Sequence, residues 1–432
     1  MRIKELIVYR TDENEKILND MSFLIDTFEK GTKTDDVQSY RELFYECMHG
    51  LIELAGNHGF YGNLWHCYLT NILVNHENSF SRATEIVGAV QGSINDAVLH
   101  DISIFKELFD YNFEQLVTWL SIDGFDIVLN YDAGTTPSKV YNQRIKERIC
   151  TLAKRFDKDN TPDEMKDTLT EFYREYGVGR FGLHKSFRVE ETVQGTRIVP
   201  ILNIAHVNLD DLVGYEIAKK KLTDNTEAFV SGRKANNCLL YGDAGTGKSS
   251  SIKAIANSYY DRGLRIIEIY KHQFKMLNDV IAQIKNRNYK FIIYMDDLSF
   301  EDFEIEYKYL KAVIEGGLEK KPSNVLIYAT SNRRHIVNET ISERENNMHV
   351  SDTMQEKLSL VARFGVTIYF GSPDKKEYQN IVRVLAERNH LDLSDETLMA
   401  EANKWEMSHG GFSGRSAQQF IDYLLGKTSD KR

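Results

Sequence analysis

The sequence lacks the features that mark membrane proteins, secreted proteins and zinc proteins. No run approaches about 18 consecutive apolar residues, and no apolar signal core precedes the charged run from Asp12 to Lys16. The cysteines form no CxxC pair; they are Cys47, Cys67, Cys150 and Cys238. We therefore expect a cytoplasmic protein without a membrane span, whose cysteines are buried free thiols rather than a disulfide framework or a zinc site.

A surplus of positive charge is also missing. The chain has 54 Lys+Arg against 64 Asp+Glu, a formal net charge of −10. Non-specific nucleic-acid binding needs many cations to displace counterions, which argues against it as the main task. A local basic run between Arg144 and Arg155 leaves two interpretations open, a solvated helix face or a DNA contact.

The length and the hydrophobic periodicity predict several structural units. At roughly 150 residues per unit, 432 residues predict about three. We divide the chain into residues 1–176, a linker at 177–205, an α/β domain at 206–371 and a helical segment at 372–432. Proline occurs only 5 times, and Thr161-Pro162 and Ser372-Pro373 each predict a helix start, since proline is favoured at the first helical position.

Residues 1–176 have apolar side chains at spacings of three and four, as in Met21, Leu24, Ile25 and Phe28, which predicts an all-helical domain. Its long apolar runs leave some ambiguity between helix and strand. The GxGxxG match at Gly177–Gly182 follows a helical pattern where a dinucleotide fold needs a strand, so we interpret it as a flexible connector.

Between Asn236 and Phe370, five β-rich runs alternate with helical patterns. They begin near Cys238, Leu264, Phe291, Val325 and Val366. Short buried strands separated by helices predict a five-stranded parallel sheet covered on both faces, an α/β fold of the P-loop NTPase type.

A complete GxxxxGK[ST] motif follows the first of these strands. It consists of Gly242, Asp243, Ala244, Gly245, Thr246, Gly247, Lys248 and Ser249, with Ser250 next in the helix. Glycines let backbone N–H groups approach phosphate oxygens, and the helix that follows adds the positive end of its dipole. Lys248 is placed for the β- and γ-phosphates and the Ser249 hydroxyl for Mg²⁺, so the motif predicts nucleotide binding.

Polar residues follow the later strands. Asp296 and Asp297 end the third strand, where ligands bind in open α/β sheets, so Asp296 is predicted to hold the metal and Asp297 to polarise the attacking water. Asn332 follows the fourth strand and is predicted to orient that water. Arg363 precedes the last strand; a guanidinium suits developing phosphoryl charge, whereas a surface ion pair is the alternative.

The order of these motifs resembles that of AAA+ ATPases. More narrowly, the stretches 239–243, 296–301, 310–317 and 328–335 resemble a bacterial family of AAA+ ATP-binding proteins known by a domain-of-unknown-function label. The resemblance covers roughly the last 250 residues. It implies ATP and Mg²⁺ as cofactors, and it makes residues 372–432 a helical lid.

The resemblance also implies roles for individual residues. Asn332 falls on the sensor-1 position, Arg363 on the arginine finger that reaches a neighbouring subunit, and Arg415 on the sensor-2 arginine of the lid. Val213 and Gly214 fall on the segment that lines the adenine pocket. A finger acting in trans implies a homo-oligomer, for which a ring is one arrangement, and the N-terminal helices would bind a protein or nucleic-acid partner.

Two features depart from that family pattern. Asp297 stands where AAA+ proteins usually carry glutamate, and its shorter side chain predicts slow turnover. Tyr270–Phe274 runs almost directly into a helical pattern, which leaves little room for a pore loop and disfavours an unfoldase. We expect Mg²⁺-dependent ATP hydrolysis coupled to rearrangement of an oligomer or a bound partner. The alternative is an ATP-gated loader or scaffold with little hydrolysis; a phosphotransferase lacks a visible acceptor site.

Overall fold

The computed structural model describes residues 3–10, 15–31, 37–134, 138, 140–193, 195–202, 204, 207–299, 306–315, 322–332, 362–409 and 411–429. The chain divides into two compact units between His184 and Lys185. No helix in the described part is both long enough and apolar enough to cross a membrane. Each of the four cysteines is a buried thiol.

The first unit is helical, as its periodicity predicts. Its helices are α1 (Lys16–Glu29), α2 (Val37–His58), α3 (Leu64–Asn75), α4 (Ser79–Val87), α5 (Ile94–Phe109), α6 (Glu114–Leu120), α7 (Asp126–Leu129), α8 (Gln143–Phe156), α9 (Pro162–Tyr176) and α10 (Gly179–Leu183). Met21, Leu24 and Ile25 are fully buried in one continuous core. Burial of one apolar face per helix holds this unit together.

Thr161 caps α9 as predicted, because its hydroxyl accepts a hydrogen bond from the N–H of Glu164 at 3.2 Å. The GxGxxG segment is not a flexible connector. Its last residues form α10, and a Cβ added to Gly182 would lie 2.6 Å from the carbonyl carbon of Gly177. Glycine therefore permits close backbone packing between α9 and α10.

The second unit contains a seven-stranded sheet. Its strands are β1 (Ser186–Thr192), β2 (Gly195–Pro200), β3 (Cys238–Gly242), β4 (Leu264–Glu268), β5 (Lys290–Met295), β6 (Val325–Ser331) and β7 (Val366–Phe370), in the order β2-β1-β4-β5-β6-β3-β7. All five predicted strands are present, with parallel pairing between neighbours. The P-loop strand β3 lies inside the sheet between β6 and β7, so the predicted fold class is confirmed.

The prediction of only five strands, with a linker at 177–205, was wrong in part. Strands β1 and β2 form an antiparallel hairpin in that segment, and β1 pairs with β4 in parallel. Phe187 and Val189 are buried at alternate positions of β1, and Ile198 of β2 is buried opposite Val189, as expected for strands that bury one face. The hairpin therefore extends the sheet.

Helices surround the sheet and form the carboxyl-terminal segment. They are α11 (Glu216–Val230), α12 (Lys248–Tyr259), α13 (Leu277–Ile284), α14 (Glu306–Glu315), α15 (Lys375–Arg388), α16 (Asp395–His409) and α17 (Gly414–Ser429). Helix α15 begins two residues after the predicted Ser372-Pro373 start. Asp374 is its N-cap, and Asp374 and Glu377 form a reciprocal capping box.

Candidate functional site

The phosphate loop joins β3 to α12 and depends on backbone conformations that favour glycine. Gly242 has φ 135°, Gly245 has φ 76° and Gly247 has φ 91°. A Cβ on Gly242 would lie 2.0 Å from the carbonyl oxygen of Phe370 in the neighbouring strand β7. Only glycine therefore lets β3 turn into the loop beside β7.

Lys248 begins α12 and folds back over the loop. Its Nζ donates to the carbonyl oxygens of Gly242 at 3.0 Å and Asp243 at 2.6 Å, and the residue is 6% exposed. Burial lowers the pKa of Lys248, while the carboxylates of Asp243, Asp297 and Asp296 act in the opposite direction. Among the described residues, the hydrogen-bond acceptors of this buried ammonium are carbonyl oxygens, so it can bind an incoming anion.

Asp296 receives hydrogen bonds from two elements. Its Oδ1 accepts from the Ser249 hydroxyl of α12 at 2.8 Å and from the Thr330 hydroxyl of β6 at 2.5 Å. Burial acts to raise the pKa of Asp296, but the hydroxyl groups around it, those of Thr330, Tyr294 and Ser249, outweigh burial and hold that pKa below its usual value. The carboxylate is therefore held in its charged form.

Asp297 follows in a left-handed conformation, with φ 49°. Its Oδ1 accepts a hydrogen bond from the Asn332 side-chain amide at 2.8 Å, and its N–H donates to the Thr330 hydroxyl at 3.0 Å. A left-handed residue costs about 1–2 kcal/mol, less for aspartate than for most residues. The end of β6 thus holds both carboxylates in a bent segment.

The carboxyl-terminal helix α17 begins directly at the phosphate loop. The Arg415 N–H donates to the Gly245 carbonyl at 3.1 Å. A Cβ on Gly245 would lie 3.0 Å from the Cβ of Arg415 and 3.1 Å from the Ser413 hydroxyl. The predicted lid therefore contacts the loop closely, and Arg415 stands beside it.

These elements line one cavity of about 780 Å³. Most of the predicted site residues lie on its wall, namely Val213, Ala244, Gly245, Thr246, Gly247, Lys248, Ser249, Ser250, Asp296, Asp297, Asn332 and Arg415. Four others do not: Gly214, Gly242, Asp243 and Arg363. Asp243 instead accepts a hydrogen bond at its Oδ2 from the N–H of Ser372 at 2.7 Å, while its carbonyl accepts from Lys248.

Arg363 precedes β7 and is half-buried, away from the cavity of its own chain. Its assignment as a finger in trans stays a prediction. Residues 333–361 lie outside the described residues. They include positions 333–335 of the stretch that resembles the family.

The sequence assigns no individual role to several lining residues. They are Val207, Asp211, Leu212, Tyr215, Thr330, Ile381, Leu385, Gln418 and Gln419. Gln418 and Gln419 lie three and four residues after Arg415, so helical spacing could have placed them on the same face. Ile381 and Leu385 follow the same spacing but match an ordinary core pattern, because their apolar side chains also pack within the lid.

The residues present fit a nucleotide with a magnesium ion. Mg²⁺ prefers oxygen ligands, and the Ser249 hydroxyl and the Asp296 carboxylate supply oxygen atoms beside the loop. Backbone N–H groups at the start of α12 and the Lys248 ammonium provide donors for phosphate oxygens. Leu212, Val213, Ile381 and Leu385 supply an apolar wall for a base.

The strand order and the phosphate loop place the second unit in the AAA+ class of P-loop nucleotide-binding proteins. The chain belongs to the family described as Protein of unknown function (DUF815), whose model matches residues 183–428.

Replication factor C large subunits are similar over short segments. That of Staphylothermus marinus is 34% identical over 85 residues, 19% of each chain. That of Methanococcus maripaludis is 38% identical over 78 residues, 18% of this chain and 15% of the relative. The chain thus spans less than a fifth of the length of these curated relatives.

Two solved AAA+ structures align with about half of the chain. The FIGL-1 AAA domain in complex with ADP has a TM-score of 0.36 at 17% identity, over 51% of this chain and 73% of that one. The Thermotoga maritima RuvB Holliday junction branch migration motor has a TM-score of 0.32 at 14% identity, over 50% and 72%.

Proposed function

We propose that this protein binds ATP with Mg²⁺ and hydrolyses it slowly, using the energy to rearrange an oligomer or a bound partner. One observation carries the proposal: a single cavity is walled by the phosphate loop, both carboxylates, Asn332 and Arg415. Phosphoryl transfer depends mainly on positioning and electrostatic stabilisation, which such a wall supplies.

Each wall residue has a distinct task in this proposal. Phosphate oxygens would replace the carbonyl acceptors of Lys248, and Ser249 with Asp296 would hold Mg²⁺, which would neutralise phosphate charge. Asp297 would polarise the attacking water. Asn332, which already hydrogen-bonds to Asp297, would orient that water. Arg415 would neutralise phosphate charge when the lid is closed.

Asp297 supports slow turnover. An aspartate reaches about one methylene less far than the glutamate usual in AAA+ proteins, and one of its oxygens is engaged by Asn332. The same observation favours the second candidate function, an ATP-gated loader or scaffold with little hydrolysis. Phosphate release from the wild type and from Asp297→Ala separates the two, because equal negligible rates in an assembled sample favour the gate.

Binding is tested first. Radiolabelled ATP should bind saturably in the presence of Mg²⁺, and Lys248→Ala should weaken binding by 100-fold or more, because an ammonium is lost from the phosphate site. Lys427→Ala on the exposed side of α17 is the matched control and should bind like the wild type. Equal ATP affinities for the wild type and Lys248→Ala would contradict the proposal.

The oligomer is tested by complementation. Lys248→Ala lacks a working nucleotide site but keeps Arg363, while Arg363→Ala keeps the nucleotide site. If Arg363 acts in trans, a mixture of these two inactive proteins should release phosphate faster than the two variants do separately, because one supplies the arginine to the nucleotide site of the other. Arg383→Ala, which loses an exposed ion pair with Asp395, is the control for removal of an arginine. A mixture as inactive as its parts would contradict the finger.

The N-terminal helical unit is proposed as the partner-binding part, and a protein or a nucleic acid is the partner class. Deletion of the residues before Phe181 should abolish partner capture while leaving nucleotide binding in place. A truncated protein that keeps both ATPase activity and all partner binding would contradict this assignment.

A further inference from the structure

Thr330 is a lining residue to which the sequence assigns no individual role. It lies near the end of β6 and is 1% exposed. Its hydroxyl donates to Asp296 Oδ1 at 2.5 Å and accepts from the Asp297 N–H at 3.0 Å, and its carbonyl accepts from the Leu298 N–H at 2.7 Å. One residue therefore contacts three consecutive residues that follow β5.

Those contacts begin where the regular ladder ends. The last paired residues of β5 and β6 are Met295 and Ala329, so Thr330 is the first residue of β6 beyond the pairing. Asp297 then turns into the left-handed region, at φ 49°. Beyond Met295, the side chain and carbonyl of Thr330 replace the ladder as the connection between these two segments.

The chemistry of a hydroxyl suits this position. It has one proton to donate and lone pairs to accept, so it can give its proton to the Asp296 carboxylate while receiving the Asp297 N–H. Ser249, whose hydroxyl lies on the opposite element α12, donates to the same Oδ1 at 2.8 Å. Asp296 is thus held from two sides, and of these two hydroxyls it is that of Thr330 that also touches the backbone of Asp297.

A second hydroxyl lies beside the cluster. Tyr294 on β5 is 4% exposed, and its oxygen makes no well-aligned hydrogen bond within the described residues. It lies close enough to Ser249, Asp296 and Thr330 to interact with each of them. Tyr294 belongs to β5 itself, so its hydroxyl could not connect the Asp296 carboxylate to β6 in place of Thr330.

We propose that Thr330 is a positioning residue of the metal site, whose hydroxyl fixes Asp296 and Asp297 relative to each other and to Asn332. This inference rests on the proposed function, because it assigns a task within the same site. Removal of the hydroxyl should weaken divalent-metal binding by about 10-fold or more, as is typical for groups that orient a metal-binding carboxylate.

The test uses the full chain and three variants. Thr330→Val keeps the shape and removes the hydroxyl, and Thr330→Ser keeps the hydroxyl. Thr226→Val is the matched control: Thr226 is also fully buried, and its hydroxyl lies 3.0 Å from that of Tyr328 on the same strand as Thr330, but it does not line the cavity. Mn²⁺ affinity is measured by electron paramagnetic resonance with a non-hydrolysable ATP analogue, and thermal unfolding is measured in parallel.

The expected result is a loss of Mn²⁺ affinity of about 10-fold or more in Thr330→Val, affinity within about twofold of wild type in Thr330→Ser, and unchanged affinity in Thr226→Val. Wild-type affinity in a folded Thr330→Val would overturn the inference. If that variant does not fold, an equally large loss in Thr330→Ser would overturn it. Should the wild type bind no Mn²⁺ with the analogue, the proposed function fails first and this assignment falls with it.

Discussion

Two carboxylates, one in each unit, show how similar chemistry serves different ends. Asp101 in the helical unit is fully buried, and its oxygens accept from the N–H groups of Ile7, Val8 and Tyr9 at 2.6–3.0 Å. Asp296 in the α/β unit also accepts several hydrogen bonds, but it lies on a cavity wall. A carboxylate with several donors anchors the chain when backbone encloses it, and it is available to bind a ligand when it borders a cavity.

The same contrast holds for other polar groups. In the helical unit, Trp65 donates to the Leu108 carbonyl at 2.9 Å, and Tyr173 donates to the Leu73 carbonyl at 2.5 Å, both within the core. Such bonds satisfy groups that would otherwise be costly to bury. In the α/β unit the Lys248 ammonium bonds to its own loop, at the edge of an open cavity. The first unit uses these polar groups for stability, whereas in the second unit the Lys248 ammonium, although buried, lines a cavity.

The largest effect is expected from Gly242→Ala, which should destroy the nucleotide site and spare the helical unit. The new Cβ would lie 2.0 Å from the Phe370 oxygen, so β3 and β7 must separate at the loop. ATP binding, measured by equilibrium dialysis, should weaken by 100-fold or more. Gly263→Ala is the control, because Gly263 also has a positive φ, 86° against 135° at Gly242, but open space around it.

That control separates backbone strain from the contact with β7. Gly263→Ala should lose about 1 kcal/mol of stability and retain ATP binding. Equal ATP affinities for Gly242→Ala and the wild type would show that the loop tolerates separation from Phe370, and the contrast between the two units would lose its main support.

Asp101→Asn is the reciprocal change and should destabilise the helical unit without altering ATP binding. One amide oxygen replaces a carboxylate that three N–H groups share, so charge-assisted hydrogen bonds are lost in a dry core. We expect a loss of about 3 kcal/mol in urea unfolding of the full chain. Trp65 and Trp119 report the transition by fluorescence in a Trp405→Phe background.

The control is Glu46→Gln, which likewise replaces a carboxylate by an amide in the helical unit. Glu46 is paired with Lys16 at 2.8 Å, and both side chains are exposed, at 62% and 70%. Its loss should cost below about 1 kcal/mol, because an exposed ion pair contributes little. A loss from Asp101→Asn no larger than that from Glu46→Gln would mean that the N-terminal segment is not anchored by Asp101.

The sequence predicts the two units unequally. Helical periodicity predicts the first unit's class, but it says nothing about which polar residue meets which, so the bond between Asp101 and Ile7–Tyr9 has no local signal. In the second unit, the GxxxxGK[ST] motif alone predicts that Lys248 and Ser249 share a phosphate site, and both lie on the cavity wall. A motif can be read from neighbouring residues in the sequence. A contact across some 90 residues, such as that between Asp101 and Ile7, depends on how the helices pack and cannot be read in this way.

The errors have physical causes as well. The alternation of Phe187 and Val189, and the apolar Ile198 that follows, are signals of strands. We nevertheless predicted a linker at 177–205, because short strands beside a glycine-rich segment also match that pattern. Thr330 gives no signal of its own, because an isolated threonine in a buried strand is ordinary by β-propensity. Its role depends on the chain direction after β5, where Asp297 turns to φ 49°.

Acid should weaken the helical unit through two histidines. Burial lowers the pKa of both His58 and His66 from the ordinary value of 6.5. The unfolded chain then binds more protons than the folded one, so stability is complete above about pH 6.5 and falls as the pH drops below it. The urea midpoint reported by Trp65 and Trp119, again in the Trp405→Phe background, should decrease between about pH 7.5 and about pH 5.5.

The double variant His58→Gln/His66→Gln tests the origin of that decrease. Glutamine keeps a polar side chain that does not titrate in this range, so the pH slope should become shallower even if the absolute stability changes. An unchanged dependence of the urea midpoint on pH would mean that other groups cause the acid sensitivity and that His58 and His66 do not.

The smallest effect, and one of opposite sign, is expected from Gly56→Ala. Gly56 lies in the last turns of α2, is exposed, and would place a Cβ with nothing within 4 Å. Alanine restricts the unfolded chain and has the higher helix propensity, so the helical unit should gain about 0.5–1 kcal/mol in urea unfolding. The same chemical change that is expected to destroy the nucleotide site at Gly242 should therefore stabilise the helical unit at Gly56. A loss of stability in Gly56→Ala would mean that the end of α2 requires glycine for a reason that the surrounding contacts do not show. The helical unit would then also depend on a glycine, and the contrast between the two units would be weaker.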